Sequence, residues 1–336
     1  MRFGLIFGMA AALIACSAAA EPVHVSTDNF ARAESDLFLS NLAKGGSFGK
    51  MKHTRQMAPI DKQPVVRLNR DTLYSGGIFD LDAGPVTITI PEAGKRFISM
   101  QIIDQNQYSP AVYYKPGEYT LTREQIGTRY VLAAIRVLAN PDDPADLAQA
   151  HKVQDGVISK QEKVGVFEIP DWDEKSRSET RAALTALGDL LPDNRRMFGP
   201  KDVVDQTRHL IGTAIGWGGN PDKDAVYLSR IVPENDGATT YRLKVGEVPV
   251  EGFWSISVYN ATGYFEKNDL NAYTINNITA ARDKDGGITV QFGNCTKDIP
   301  NCLPTPKGWN YTLRLYRPSA AILDGSWTFP EAVKVQ

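Results

Sequence analysis

Cysteine and histidine are scarce in this chain, with three and four copies among 336 residues. So few soft ligands, none of them at metal spacing, argue against a structural zinc site, and a scaffold held by many disulfides is excluded. Acidic and basic residues nearly balance at a formal net charge of −2, so the sequence has no electrostatic footprint for nucleic acid. We therefore expect no metal, no cofactor and no nucleic-acid partner.

Long hydrophobic runs are also missing after the first twenty residues, which argues against a membrane-spanning helix there. Residues 1–20 have the features of a signal peptide: a basic Arg2, an apolar run from Phe3 to Ile14, and small residues before Glu21. The overlapping stretch Leu13–Cys16 is also typical of a lipobox, in which Cys16 becomes lipidated. We expect a periplasmic or secreted protein, either soluble or held at the membrane only through a lipid anchor at Cys16.

Two cysteines remain once Cys16 is cleaved off or acylated. Cys295 and Cys302 lie close together in the chain, and in an oxidising compartment such a local pair most simply forms a disulfide around a small loop. Free thiols or a redox pair are the alternative, and a zinc site would need further soft ligands. We predict a disulfide between Cys295 and Cys302.

The order of helical and alternating segments indicates an α+β fold. A helix is predicted near residues 27–43, and alternating or β-rich runs such as 86–90 and 130–137 indicate strands after it. The middle of the chain reads as helical, and strands return from about residue 224. We predict two β-rich, sandwich-like antiparallel parts bridged by helices: a signal peptide at 1–20, an N-terminal β-rich domain at 27–165, a helical connector at 166–222 and a C-terminal β-sandwich domain at 223–336.

The clearest helical pattern runs from Val203 to Ile215, with Asp202 as the predicted N-cap. Asp205 and His209 are four residues apart on this helix, on the side that faces away from the apolar stripe. Their spacing suits a general base oriented by a carboxylate. A solvated contact along the helix surface is the simpler interpretation.

Two stretches of the chain are distinctive. Residues 69–75 read Asn-Arg-Asp-Thr-Leu-Tyr-Ser, which resembles the Asn-Arg-Asp-Thr-x-Tyr-Ser signature of the DUF1254 domain. Residues 252–259 and 270–275 look like parts of the DUF1214 domain, which commonly follows DUF1254. Where many relatives carry Asn-Trp-Leu-Pro, this chain has Asn301-Cys302-Leu303-Pro304, as in a shorter exported branch. The resemblance implies a β-rich, two-part protein, frequently exported from bacteria and without an established reaction.

Polar groups are concentrated at Asn69, Arg70 and Asp71, between apolar segments. Arg70 offers a fork for a carboxylate or phosphate, and Asp71 can orient it. A buried structural network is the other interpretation. Aromatic and amide side chains also alternate around Asn271 and Tyr273, a composition that suits sugars or other neutral polar ligands.

We therefore expect the protein to bind a small polar or envelope-associated ligand in a cleft between its two parts. The expected contacts are Asn69, Arg70, Asp71 and Tyr74 from one side, and Asn271 and Tyr273 from the other. One alternative is a hydrolase in the same cleft, with Asp71 or His209 as acid/base and a bound water as nucleophile. The other is a structural envelope protein without a ligand.

Overall fold

A computed structural model of the chain describes residues 21–63 and 66–335. The predicted signal peptide and Cys16 lie outside these residues. No helix within the described ranges has the length and apolar character that crossing a membrane requires. The helices are α1 (Phe30–Leu42), α2 (Arg123–Ile126), α3 (Pro144–Asp155), α4 (Glu174–Gly188), α5 (Gln206–Gly216) and α6 (Ala320–Leu323), and a π-helical turn at Ala43–Ser47 extends α1.

The strands fall into an N-terminal and a C-terminal set, separated by α4 and α5. The first set is β1 (Lys52–Thr54), β2 (Thr72–Asp80), β3 (Val86–Ile90), β4 (Ile98–Asp104), β5 (Val112–Tyr113), β6 (Gly117–Leu121), β7 (Tyr130–Leu138) and β8 (Ile158–Gln161). The second set is β9 (Ala225–Arg230), β10 (Tyr241–Val245), β11 (Trp254–Tyr259), β12 (Thr274–Asn276), β13 (Ile288–Phe292), β14 (Cys302–Leu303), β15 (Asn310–Tyr316) and β16 (Val333–Lys334).

The N-terminal strands form two antiparallel sheets around one apolar core. The larger sheet has the order β1-β2-β7-β4-β5, and the smaller one has the order β6-β3-β8. Strand β3 shows how its sequence builds this core: Val86, Ile88 and Ile90 are buried, whereas the threonines between them are partly exposed. This alternation places one face of the strand in the core, together with apolar residues of the larger sheet and of α3.

The C-terminal strands form a second sandwich with its own core. Its sheets have the orders β12-β11-β15-β9 and β14-β13-β10-β16, and all strands pair antiparallel except β13 and β14. Alternate residues of β11 and β15, including Trp254, Ile256 and Leu313, point into the core between the sheets. The chain is therefore an α+β protein with two β-rich parts, as its segment order predicts.

The helices make a third layer. α1 packs through Phe30 and Ala33 against Leu184 of α4 and Ile211 of α5. Further along, Leu39 of α1 covers the apolar half of the larger N-terminal sheet. The other half of that sheet face is left for contact with the C-terminal part.

The predicted disulfide is confirmed. Cys295 and Cys302 are bonded, with their Cα atoms 5.5 Å apart. The bond ties the loop after β13 to the start of β14, which runs parallel to β13. It closes a short local loop and does not join the two β-rich parts.

Candidate ligand site between the two sheets

The polar face of one large sheet meets the polar face of the other in a buried seam. On β15, Thr312, Arg314 and Tyr316 alternate with core residues and point away from the C-terminal core, yet all three are buried. They are buried because the N-terminal part covers this face. The N-terminal part contributes polar side chains to the seam: Asn69, Asp71, Tyr74, Gln101 and Arg136. The segment after α5 and the C-terminal strands contribute the others: Asn220, Tyr227, Ser255, Ser257, Tyr259, Thr274, Asn276, Arg314 and Tyr316.

Arg136 lies on β7, the central strand of its sheet, and is only 8% exposed. One terminal nitrogen donates to Oε1 of Gln101 at 2.9 Å, and the other approaches the carbonyl of Gly218 at 3.4 Å. Its guanidinium lies 5.5 Å from the centre of the Tyr74 ring, in cation–π contact. Burial disfavours the charge, but the oxygens of Tyr74, Tyr316 and Tyr227 hold the pKa of Arg136 above its ordinary value. Arg136 therefore remains a cation.

Arg314 lies on β15 and is 3% exposed. Its terminal nitrogens donate to Oγ of Ser257 at 2.8 Å, to the hydroxyl of Tyr259 at 2.5 Å and to the carbonyl of Arg67 at 2.7 Å. These neutral acceptors bind the N-terminal loop to the C-terminal sheet. Burial opposes the charge, yet Tyr259 and other neighbours raise the pKa of Arg314 above its ordinary value.

Asn69 connects tyrosines of the two sheets. Its Nδ2 donates to the hydroxyl of Tyr74 at 3.2 Å and to the hydroxyl of Tyr316 at 3.0 Å. Its Oδ1 accepts from the backbone N–H of Asp71 at 2.8 Å, which fixes the turn before β2. On the other side of the seam, Nδ2 of Asn220 donates to the hydroxyl of Tyr227 at 2.6 Å.

Asp71 is fully buried at the end of the seam. One carboxylate oxygen accepts from Nδ2 of Asn276 at 3.0 Å and from Oγ1 of Thr274 at 3.3 Å, so both contacts come from β12. The second oxygen, Oδ2, has no hydrogen-bond partner among the described residues, and neither has Oγ of Ser255. Buried polar atoms without partners are rare in folded proteins and costly.

Three of the six predicted ligand contacts meet in this seam, namely Asn69, Asp71 and Tyr74. Arg70 turns away from it: the guanidinium donates to the carbonyl of Ala58 and lies 5.5 Å from the ring centre of Tyr273. Tyr273 is itself buried, in a small aromatic cluster beside Phe265.

Asn271 is not brought to the seam. It is exposed, with a positive φ of 52°, and its backbone N–H donates to the carbonyl of Asn268 in a tight turn. An asparagine tolerates this left-handed conformation well, which accounts for its presence there. The turn places its side chain outside the seam.

His209 is also in a different place from the one its helical pattern indicates. Helix α5 begins at Gln206, three residues later than a cap at Asp202 would give, because Asp205 is the N-cap and accepts from the N–H of Arg208. His209 is buried, and its ring nitrogens lie 3.0 Å and 2.9 Å from the carbonyls of Met197 and Asn106. The predicted contact along the helix surface is therefore wrong, and Asp205 does not orient the imidazole.

Arg136 and Arg314 are the functional candidates that the sequence interpretation missed. Both sit inside predicted strands, and alternation alone assigns an arginine in a strand to the solvent-facing side. The available signal was composition, because Arg136 interrupts the otherwise apolar run Tyr130–Leu138. A charged residue in the middle of such a run marks a polar face that is covered.

The C-terminal part also has an open depression of about 490 Å³, lined in part by Lys244, Glu247, Arg282 and Asp285. Lys244 and Asp285 form an exposed ion pair, so this depression collects no buried unpaired charge. Within residues 21–63 and 66–335, no cluster of three or more histidine, cysteine or acidic side chains is arranged to hold a metal ion.

Two family models match the chain in order. Residues 48–160 match DUF1254, and residues 232–320 match DUF1214, each described as a protein of unknown function. No curated protein is significantly similar to this chain.

Two solved structures are similar to this chain to different degrees. The VPA0106 protein from Vibrio parahaemolyticus is 19% identical, with a TM-score of 0.73, over 92% of this chain and 98% of that one. A putative uncharacterized protein from Burkholderia cenocepacia is 12% identical, with a TM-score of 0.47, over 92% of this chain and 95% of that one. The first similarity shows a shared fold. The two family models, one in each β-rich part, show that this chain belongs to the DUF1254/DUF1214 family.

Proposed function

We propose that this chain is an exported bacterial envelope protein that binds a small polar ligand in the seam between its two β-rich parts. The signal-like residues 1–20 support export, and so does the disulfide, since such bonds persist in oxidising compartments. Asn69, Tyr74 and Tyr227 are only partly buried, so part of the surface of these seam residues is accessible to solvent.

One observation carries the proposal: the seam buries the guanidinium group of Arg136, which forms no ion pair with a carboxylate of the described residues. Burying a charge without an opposite charge is expensive. A protein that needed only a stable interface would be served better by an apolar residue at this position. Retained charges at such a place are typical of a binding function.

No observation favours a hydrolase in the seam. His209 lies on the buried side of α5, with its ring nitrogens facing two backbone carbonyls, so it is not a partner of Asp71. Asp71 is fully buried and contacts only neutral side chains through its bonded oxygen. A purely structural role remains the alternative that the following experiment distinguishes.

The test is a thermal-unfolding screen of the mature protein with a panel of sugars, amino acids, hydroxy acids, carboxylic acids and amines. Tyr74→Phe removes a hydroxyl from the seam, and Tyr119→Phe is its matched control, because that hydroxyl contacts only the carbonyl of Lys115 at the surface. We expect a compound that raises the unfolding midpoint of the wild type and of Tyr119→Phe, with a smaller rise for Tyr74→Phe. A panel without any hit, or a hit equally strong in all three proteins, would contradict the proposal.

A further inference from the structure

We infer that the ligand carries a carboxylate, and that Arg136 binds it together with the hydroxyls of Tyr74, Tyr227 and Tyr316. This inference rests on the proposed function, since it names the chemical class that the same seam takes. Its grounds are the directions of the hydrogen bonds around Arg136 and the lack of an ion pair for its guanidinium among the described residues.

The three hydroxyls surround Arg136, and each already accepts a hydrogen bond from an amide. Asn69 donates to Tyr74 and Tyr316, and Asn220 donates to Tyr227. A hydroxyl that accepts in this way has its own O–H left to donate. No described residue accepts a hydrogen bond from any of these three O–H groups. The group is thus a set of donors gathered around a cation, and a set of this kind recognises an acceptor with negative charge.

The protonation states suit such a receptor. Burial raises the pKa of Tyr316 well above its ordinary value, so this hydroxyl keeps its proton across the physiological range. The guanidinium of Arg136 stays charged because of the tyrosine oxygens around it. Stacking on Phe253, with ring centres 4.2 Å apart, fixes the ring of Tyr316 and therefore the position of its hydroxyl.

Charge and geometry favour a carboxylate over a phosphate. Arg314 has its terminal nitrogens engaged by Ser257, Tyr259 and the carbonyl of Arg67, and the carboxylate of Asp71 also favours its charge. Arg136 forms no ion pair with a carboxylate of the described residues. A carboxylate brings the single negative charge that balances one guanidinium, whereas a phosphate dianion would bring an excess negative charge into a buried place. The planar guanidinium also matches the two oxygens of a carboxylate.

The probes are pairs of equal shape and different charge: glycolate and glycolamide, lactate and lactamide, propionate and propionamide, benzoate and benzamide, with inorganic phosphate as a separate arm. Binding to the mature protein is measured by calorimetry at pH 7.5, where the acids are ionised. We expect at least one acid to bind, its amide to bind far more weakly, and phosphate not to compete with the acid.

Arg136→Met should weaken binding of that acid by roughly 30-fold or more, because a buried charge contact is lost. Arg136→Lys, which keeps the charge without the fork, should recover part of the loss. Arg242→Met is the matched control: Arg242 also donates to a glutamine Oε1 across neighbouring strands, that of Gln291, but it is exposed and outside the seam. It should bind the acid like the wild type.

Each other outcome has a definite meaning. An amide that binds as tightly as its acid, or phosphate that binds in place of the acids, overturns the carboxylate inference. In that case the proposed function survives, provided that Tyr74→Phe weakens the binding. If no acid binds but a neutral compound of the wider screen does, the inference alone fails. If Arg136→Met folds and binds the acid unchanged, the assignment of the site to the seam is wrong.

Discussion

Two regions of this protein bury arginine side chains, and they do so in opposite ways. Between α1 and α4, Arg177 faces Glu34 at 3.2 Å, Arg181 contacts the same carboxylate, and Glu34 is fully buried. In the seam, Arg136 has only neutral acceptors around it. The first arrangement contains its own counter-charge and is explained by helix packing. The seam contains no carboxylate paired with Arg136 among the described residues, and for this reason we assign the seam a ligand.

The difference also appears in how each region tolerates loss of a partner. Burial raises the pKa of Glu34 although two arginines face it, so the ion pair only partly offsets the cost of removing the carboxylate from water. Such a pair adds little net stability while it is complete, but it is damaging to break. A seam arginine without a carboxylate partner leaves no opposite charge behind when it is removed.

The largest effect is expected from Glu34→Gln. This change leaves the buried Arg177 with only the exposed carboxylate of Glu174, at 3.4 Å, as an opposite charge, so the free energy of unfolding should fall by about 3–5 kcal/mol. Urea unfolding at pH 7 measures the difference. Glu179→Gln is the control on α4, the helix that carries Arg177: Glu179 pairs with Lys175 at the surface, and the unfolding of this variant should be unchanged. Equal effects of the two changes would remove the contrast between buried and exposed pairs.

A second test uses Asp104, the last residue of β4, whose carboxylate is buried. Its Oδ1 accepts from the backbone N–H groups of Asn106 and Tyr108. Burial raises its pKa from 3.8 to about 6. Unlike an arginine, it can discharge by taking a proton. Because the folded pKa lies above the unfolded one, its stabilising contribution is complete below about pH 4 and is lost as the pH rises through about 6.

Asp104→Asn removes this titration and keeps the Oδ1 acceptor. Relative to the wild type, the variant should therefore gain up to about 3 kcal/mol in free energy of unfolding between pH 4 and pH 7. Urea unfolding at both pH values gives the comparison. A difference between variant and wild type that does not change with pH would show that burial of Asp104 has no electrostatic cost.

The smallest effect is expected from Arg136→Met in the absence of ligand. Methionine fills a similar length of the seam, and the main loss is the hydrogen bond to Gln101, so unfolding should become easier by no more than about 1 kcal/mol. The same urea experiment measures it. A loss as large as that of Glu34→Gln would mean that Arg136 is needed for the fold itself, and the contrast between the two regions would disappear.

Much of the fold was accessible from the sequence because alternation reports directly on which residues face a core. Strand β3 begins and ends at the residues that its pattern predicts, 86 and 90. Alternation cannot distinguish a polar face in water from a polar face covered by another sheet, so Arg136 and Arg314 were not recognised. The start of α5 was misplaced for a related reason: Asp202 and Asp205 are equally good caps by type, and tertiary contacts of His209 decide between them.

Within the site, the turn residues were easier to predict than their partners. Asn69 and Asp71 stand out as a polar cluster before a strand, and both lie in the seam. Which residues they meet depends on long-range packing, because Asn276 is more than two hundred positions away from Asp71. Tyr273 and Asn271 are neighbours of that partner strand in the chain, but alternation and a tight turn direct them elsewhere.

The polar character of the seam also bears on the order in which the molecule assembles. Each β-rich part closes around a separate apolar core, and the surface that the two parts present to each other combines the hydrogen-bonding groups of the seam with a small apolar cluster around Phe97 and Phe253. Each half can therefore complete its own hydrophobic collapse during synthesis while its seam face stays in contact with water. Docking of the two halves is then a late step, guided by directional hydrogen bonds such as those from Arg314 to the loop before β2. Because water can hydrate the polar groups of the seam before docking, the newly made N-terminal half exposes less apolar surface there and is less prone to aggregate.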